Sequence, residues 1–187
     1  MYNFKKSQYY PSVNKTRKFM FEDLDKTINL INTKRRAPNF LLALVLCCYT
    51  EYWGRLVNGI SECNSEKCFN EFFDRLGNYY QQQRKQSTCD VYKDIRCGLV
   101  HSYLVSKSAK IKIKGGKCGV VFNPSTKEYT FYVERYFHDF KDAVDRYISG
   151  LANGSERLAA LMEDPTQVPS GNQRSCKVFS KAAIYQK

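Results

Sequence analysis

The stretch DVYKDIRCGLVHSYL, residues 90–104, carries one of the two histidines of this 187-residue chain. Its apolar side chains recur every three or four positions, which predicts a helix with one buried face. The pattern Ser-x-x-Asp from Ser87 to Asp90 is typical of a helix N-terminus and predicts where this helix begins. The side chains best suited to chemistry are therefore concentrated in a single predicted helix.

Helical geometry divides those side chains into two groups. At about 100° per residue, Asp94, Cys97 and His101 share one face of an α-helix. Arg96 lies about 140° away from His101, so one helix cannot aim both at the same small target. Two copies of the helix crossing at a two-fold axis could combine them, and Gly98 would let the two backbones approach closely. The spacing predicts a homodimer if these residues act together.

The segment from Arg96 to His101 has the form R-x4-H and resembles the signature of the HEPN superfamily. HEPN domains are antiparallel bundles of four or five helices with this motif on a late helix. Many are metal-independent endoribonucleases that work as dimers, some of them in toxin–antitoxin systems. The resemblance implies that Arg96 and His101 are catalytic in cleaving single-stranded RNA, with His101 moving a proton and Arg96 holding the scissile phosphate. It also implies a homodimer and a possible antitoxin protein as partners.

The alternative is a HEPN-like module that binds RNA, nucleotide or a protein partner without cutting. Active HEPN members usually carry Asn, Asp or His directly after the arginine, and Cys97 at that position favours this alternative. Asp94 and Cys97 are expected to support the site from the face of His101, and Tyr103 could stack a base. Glu51, polar in an otherwise apolar predicted helix, could orient Arg96 or His101.

Two of these residues could also have purely structural roles. Glu51 and Arg55 have the i, i+4 spacing of an ion pair on a helix surface. His101 could be a satisfied histidine of the core, because its helix carries an apolar stripe. Both alternatives stay open at the level of the sequence.

Cysteine usage and charge limit the function classes. The eight cysteines form no CxxC pair and no His–Cys set with metal-ligand spacing, so we expect no metal, no other cofactor and free thiols in a cytoplasmic protein. The net charge of +12 is concentrated at the ends, with nine Lys and Arg against three acids in residues 1–38 and four against none in residues 165–187. Such ends attract RNA or acidic partners, and solubilising tails are the alternative.

The chain is expected to form one mainly α domain at 18–164, flanked by a basic N-terminal arm at 1–17 and a basic tail at 165–187. The ten-residue apolar run at 40–49 is shorter than the roughly 20 residues of a membrane span, which predicts a buried helix. After the fourth helix, strict alternation at 110–114 and a Gly115-Gly116 turn predict a small antiparallel β-meander at about 110–133. The lysines of its first strand could bind nucleic acid or protect a sheet edge. The remaining helices are expected at 18–34, from Asn39 to about 59, at 69–80, from Phe137 to a close at Asn153-Gly154, and at 155–162.

Overall fold

The computed structural model describes residues 6–34, 39–58, 64–86, 90–103, 105 and 109–156. Six α-helices, one π-helical segment and three strands follow one another in the described part of the chain: α1 (Lys6–Lys34), α2 (Asn39–Asn58), α3 (Ser65–Arg75), α4 (Asn78–Gln86), the π segment (Tyr92–Cys97), α5 (Gly98–Ser102), β1 (Ala109–Lys112), β2 (Val120–Asn123), β3 (Glu128–Tyr132) and α6 (Val133–Asn153). The prediction of a mainly α fold with a small sheet after the motif helix is confirmed.

Helix α2 forms the centre of the fold. It packs against α3, α6 and the π segment, and Leu46, Cys47 and Trp53 on it are completely buried. By length and composition alone this helix could cross a membrane. In the fold its apolar side chains instead contribute to a continuous core, which large aromatic residues of α3 and α6 complete.

Helix α1 lies against α6. The ring of Phe21 meets the rings of Phe137 and Phe140 edge to face, with centroids 6.4 and 6.3 Å apart. Arg17 adds an ion pair with Asp145, at 2.6 Å between Nη2 and Oδ1. Val13, one turn earlier, is also buried. The prediction of an extended arm is therefore wrong for residues 6–17, which continue the helix, while residues 1–5 lie outside the described residues.

The sheet has the strand order β1-β3-β2, so the predicted antiparallel meander is wrong. Strand β3 occupies the middle, parallel to β1 and antiparallel to β2. Gly115 and Gly116 both have positive φ, but they do not form a hairpin. They carry the chain across the end of β3, directly against the ring of Tyr132, where any side chain on Gly116 would overlap that ring.

The other helix boundaries differ from expectation in two places. The predicted helix at 69–80 is split into α3 and α4 at Gly77, whose φ of 148° lies outside the range that other residues readily adopt. Ser87 lies outside the described residues, and Asp90 caps the motif helix, its Oδ1 accepting from the Lys93 N–H at 3.2 Å. The tail at 165–187, and residues 157–162 of the expected sixth helix, also lie outside the described residues.

A buried polar cluster joins α4, α6 and the segment that precedes β2. Tyr80 donates a hydrogen bond to Asp139, and the backbone N–H of Gly119 donates to the Tyr80 hydroxyl at 2.8 Å. Arg135 completes the cluster with an ion pair to Asp139 at 2.8 Å. Burial and the bond to Asp139 raise the pKa of Tyr80, so this phenol stays protonated and keeps donating.

Tyr80→Phe is expected to lower the free energy of unfolding by about 1–3 kcal/mol, because a buried carboxylate and a buried N–H each lose a partner. Urea unfolding at pH 7 measures the loss. Tyr132→Phe provides the control, since no described residue bonds to the Tyr132 hydroxyl, and should change stability by less than about 1 kcal/mol. Equal losses in the two variants would contradict the assigned role of the cluster.

Candidate functional site

The motif helix is not a regular α-helix. Between Tyr92 and Cys97 it is π-helical, and the N–H of Gly98 donates to the carbonyl of Lys93, five residues back. A step of 100° per residue does not apply to this wider turn, so the predicted common face of Asp94, Cys97 and His101 does not hold. Single π turns of this kind frequently occur at functional sites.

Asp94 is directed toward the sheet. Its Oδ2 accepts hydrogen bonds from the hydroxyl of Tyr129 at 3.0 Å and from the backbone N–H of Asp90 at 3.2 Å. Tyr129 itself is buried on β3. Asp94 therefore fastens the start of the motif helix to the sheet, which is a structural role.

Arg96 points into the domain and contacts α2. Its Nη2 lies 2.6 Å from Oε2 of Glu51, and its guanidinium carbon lies 5.3 Å from the ring centroid of Tyr92. The side chains of Arg96 and Glu51 are only 18% and 10% exposed. The structure thus brings together Glu51 and Arg96, two of the residues selected from the sequence.

Glu51 connects two arginines. Its Oε1 accepts from Nη2 of Arg55 at 2.8 Å, and the same Nη2 donates to the hydroxyl of Ser65. Burial alone would raise the pKa of Glu51, but hydrogen bonds from Arg55 and Ser65 and the charge of Arg96 outweigh it and hold the pKa below its usual value. Glu51 is therefore ionised at neutral pH. Its ion pair with Arg55 belongs to a larger, partly buried network and is not an isolated pair on the helix surface.

His101 lies on the surface in the last turn of α5, and no described residue bonds to its imidazole. The alternative of a core histidine is therefore wrong. Tyr103, which ends α5 with a φ of 56°, is 55% exposed, and its ring centroid lies 6.0 Å from that of Phe40. Leu41 and Val100 are also large exposed apolar side chains.

The cysteines near the site differ in exposure. Cys97 is half-buried and hydrogen-bonded to Tyr92, whereas Cys48 is exposed close to Arg96. Burial raises the pKa of the Cys47 and Cys48 thiols, which keeps both protonated. In the described part of the chain, no three His, Cys, Asp or Glu side chains are grouped so as to hold a metal ion.

The expectation of free thiols is wrong for Cys68, which is disulfide-bonded. Cys47, Cys48, Cys97 and Cys118 are free. A disulfide is typical of oxidising compartments. The expected cytoplasmic location was inferred from thiols that are all free, and that inference does not hold for the chain as a whole.

Two residues of the network around Glu51 were not selected from the sequence. Tyr92 precedes Arg96 by four residues, a spacing that favours contact on a helix and was available as a signal. Ser65 carries no such signal, because it reaches the network only through the packing of α3 on α2. The site therefore consists of the partly buried ion pair of Arg96 with Glu51 and, later on the same helical segment, the exposed His101.

No protein-family model, curated protein or solved structure matches this chain. The site is therefore interpreted from its own geometry.

Proposed function

We propose that this protein is a HEPN-like, metal-independent endoribonuclease that cleaves single-stranded RNA as a homodimer. One observation carries the proposal: Arg96 is held by a partly buried carboxylate, and the exposed His101 follows just over one turn later on the same helical segment. An imidazole can transfer the protons and a fixed cation can offset the charge that develops in metal-independent cleavage of RNA.

Each group has a chemical role in the proposed reaction. His101 would take the proton from a ribose 2′-hydroxyl or give one to the leaving 5′-oxygen. Arg96 would bind the scissile phosphate and offset the charge that builds on it. The Glu51 carboxylate occupies one of the five N–H donors of Arg96, which leaves donors for a phosphate oxygen. Glu51 would act as a positioning residue, since it reaches the phosphate only through Arg96.

The surroundings of His101 support a second copy of the chain as partner. Leu41, Val100 and Tyr103 leave apolar surface exposed near the imidazole, and a homodimer would cover it. In the proposed dimer, the Arg96 and His101 pairs of both protomers would line one cleft.

A non-catalytic module that binds RNA or nucleotide is the second candidate. It is favoured by the neutralisation of Arg96, whose charge is matched by Glu51 and whose side chain is mostly buried. Cys97 directly after the arginine favours it too. Both candidates use the same surface and differ in whether the phosphodiester bond breaks.

Cleavage of a fluorescent single-stranded RNA in EDTA distinguishes them. We expect wild-type protein to cut, and Arg96→Ala and His101→Ala each to lose about 100- to 10,000-fold in rate, because each removes one group that acts on the reacting atoms. His138→Ala, which removes the other histidine from the exposed face of α6, is the matched control and should cut at the wild-type rate.

Circular dichroism and gel filtration of each variant show whether folding and dimerisation are intact. Absence of cleavage by wild-type protein, together with binding of the RNA that Arg96→Ala or His101→Ala weakens, would establish the non-catalytic candidate. Cleavage that survives His101→Ala would contradict both the mechanism and the assignment of the site.

A further inference from the structure

One face of the small sheet is strongly basic. Residues 109–132 contain five lysines and a single acid, Glu128. Four of the lysines, Lys110, Lys112, Lys114 and Lys117, lie on β1 and on the segment that crosses the end of β3. These four side chains are named here the basic sheet face.

The direction of these side chains follows from the alternation along β1. Ile111 on β1 is half-buried and packs against the core, so Lys110 and Lys112 point to the opposite, solvated side. Just beyond the strand, Ile113 also packs against the core and Lys114 is exposed. Alternate residues of a strand lie about 6.6 Å apart. The lysines therefore form a row of regularly spaced charges, comparable with the spacing of neighbouring phosphates along an extended single strand.

Most of this charge is not neutralised. Lys110 pairs with Glu128 at 2.5 Å between Nζ and Oε2. Lys112, Lys114 and Lys117 are exposed and form no ion pair with any described residue. Three uncompensated positive charges, on β1 and on the segment that follows it, are complementary to a polyanion.

Protection of a sheet edge is the alternative role for these lysines. β1 is an edge strand, but the first residue of α2 already lies at its open side, with Nδ2 of Asn39 3.5 Å from the carbonyl oxygen of Ile111. A backbone acceptor of this edge is thus already covered by α2, and the lysine side chains extend over the face of the sheet. Their charge is therefore available to a ligand that lies across the face.

The first turn of α2 connects this face with the candidate site. Asn39 contacts β1, and the adjacent Phe40 contacts Tyr103 at the end of α5. Two consecutive residues of α2 thus join β1 to the end of the helix that carries His101.

We propose that the basic sheet face binds the phosphate backbone of single-stranded RNA and extends the site at His101. The identity of the ligand rests on the proposed function, but its binding does not depend on cleavage. Lys112, Lys114 and Lys117 would each neutralise one phosphate, which makes the contribution electrostatic and independent of base sequence.

The test uses full-length protein and a fluorescein-labelled 20-nucleotide oligouridine, with anisotropy recorded from 50 to 300 mM KCl. The triple variant Lys112→Gln, Lys114→Gln, Lys117→Gln should bind at least about tenfold more weakly at 100 mM KCl, because three phosphate contacts are lost. The slope of log Kd against log salt should fall by about 2, since each contact on a single strand contributes about 0.7.

The matched control removes three positive charges from exposed residues outside the basic ends, Lys67→Gln, Lys85→Gln, Arg146→Gln, and should keep the wild-type affinity and slope. Equal losses in the two triple variants would overturn the proposal, because they would reflect net charge alone. If polyglutamate of equal length and at equal concentration displaces the RNA, the face binds acidic proteins, and the proposal is overturned in that case too. Failure of the proposed function is seen separately, as a wild-type protein that binds this RNA but never cuts it.

Discussion

Gly54→Ala is expected to cost about 3 kcal/mol or more of unfolding free energy, and Gly54→Val to prevent folding. Gly54 on α2 is buried against α3, and a Cβ atom added there would overlap the carbonyl oxygen of Cys68. That oxygen belongs to the backbone of a helix, so it cannot move without separating the two helices that share the most extensive packing in the fold. Urea unfolding followed by the fluorescence of the single buried Trp53 measures the loss.

The matched control is Gly150→Ala on α6. There an added Cβ would meet Cγ of Glu156, and that side chain can rotate away only by giving up its partly exposed ion pair with Arg75, so the expected loss is about 1–2 kcal/mol. If Gly54→Ala and Gly150→Ala lose similar amounts of unfolding free energy, the close approach of α2 and α3 does not explain why position 54 needs glycine.

Glu51→Gln is expected to lower the unfolding free energy by about 3 kcal/mol at pH 7. The change leaves the mostly buried Arg96 without a carboxylate and weakens the bond to Arg55. Glu71→Gln is the control, because Glu71 also pairs with an arginine four residues away, Arg75, but does so at 3.5 Å through a carboxylate that is 41% exposed, against 10% for Glu51. Its expected cost is below about 1 kcal/mol.

The difference between wild type and Glu51→Gln should depend on pH. The pKa of Glu51 is lowered in the folded state, so the unfolded chain binds this proton more readily and the stability from ionised Glu51 is fully present above the unfolded pKa of about 4.3. It is lost as the pH falls through the folded pKa. Urea unfolding at pH 7 and pH 3 should therefore give a smaller difference at pH 3, and an unchanged difference would contradict the ionised network.

The helices that could be predicted are those with a strong local pattern. Helix α6 repeats its apolar residues every three or four positions over five turns and ends at Asn153 as expected, where Gly154 adopts a φ of 83°. Asp139 falls among those apolar positions. An acidic residue on a buried face of a helix indicates a buried polar cluster, such as the one that Asp139 forms with Tyr80. The start of α1 was missed because residues 6–17 have little apolar periodicity and are positioned by contacts with a helix more than 100 residues away.

In the sheet, the local sequence pattern predicted strand β1 correctly but predicted the wrong strand order. Alternation identified β1, and the two glycines identified a change of direction. The local pattern does not say whether β2 pairs with β1 or with the far side of β3, because that depends on how β3, which follows later in the chain, packs between them. Strand pairing is therefore decided after local structure has formed.

The sequence by itself determined the mainly α fold, the central apolar helix α2 and the selection of Glu51, Arg96 and His101. Each of these depends on residue type and on spacing within one element. Only the tertiary structure decided that Arg96 turns inward to Glu51 while His101 stays on the surface, and that the lysines of β1 share one open face. The physical reason is that the π turn at Tyr92–Cys97 and the parallel pairing of β1 with β3 arise from packing between elements, which no local pattern encodes.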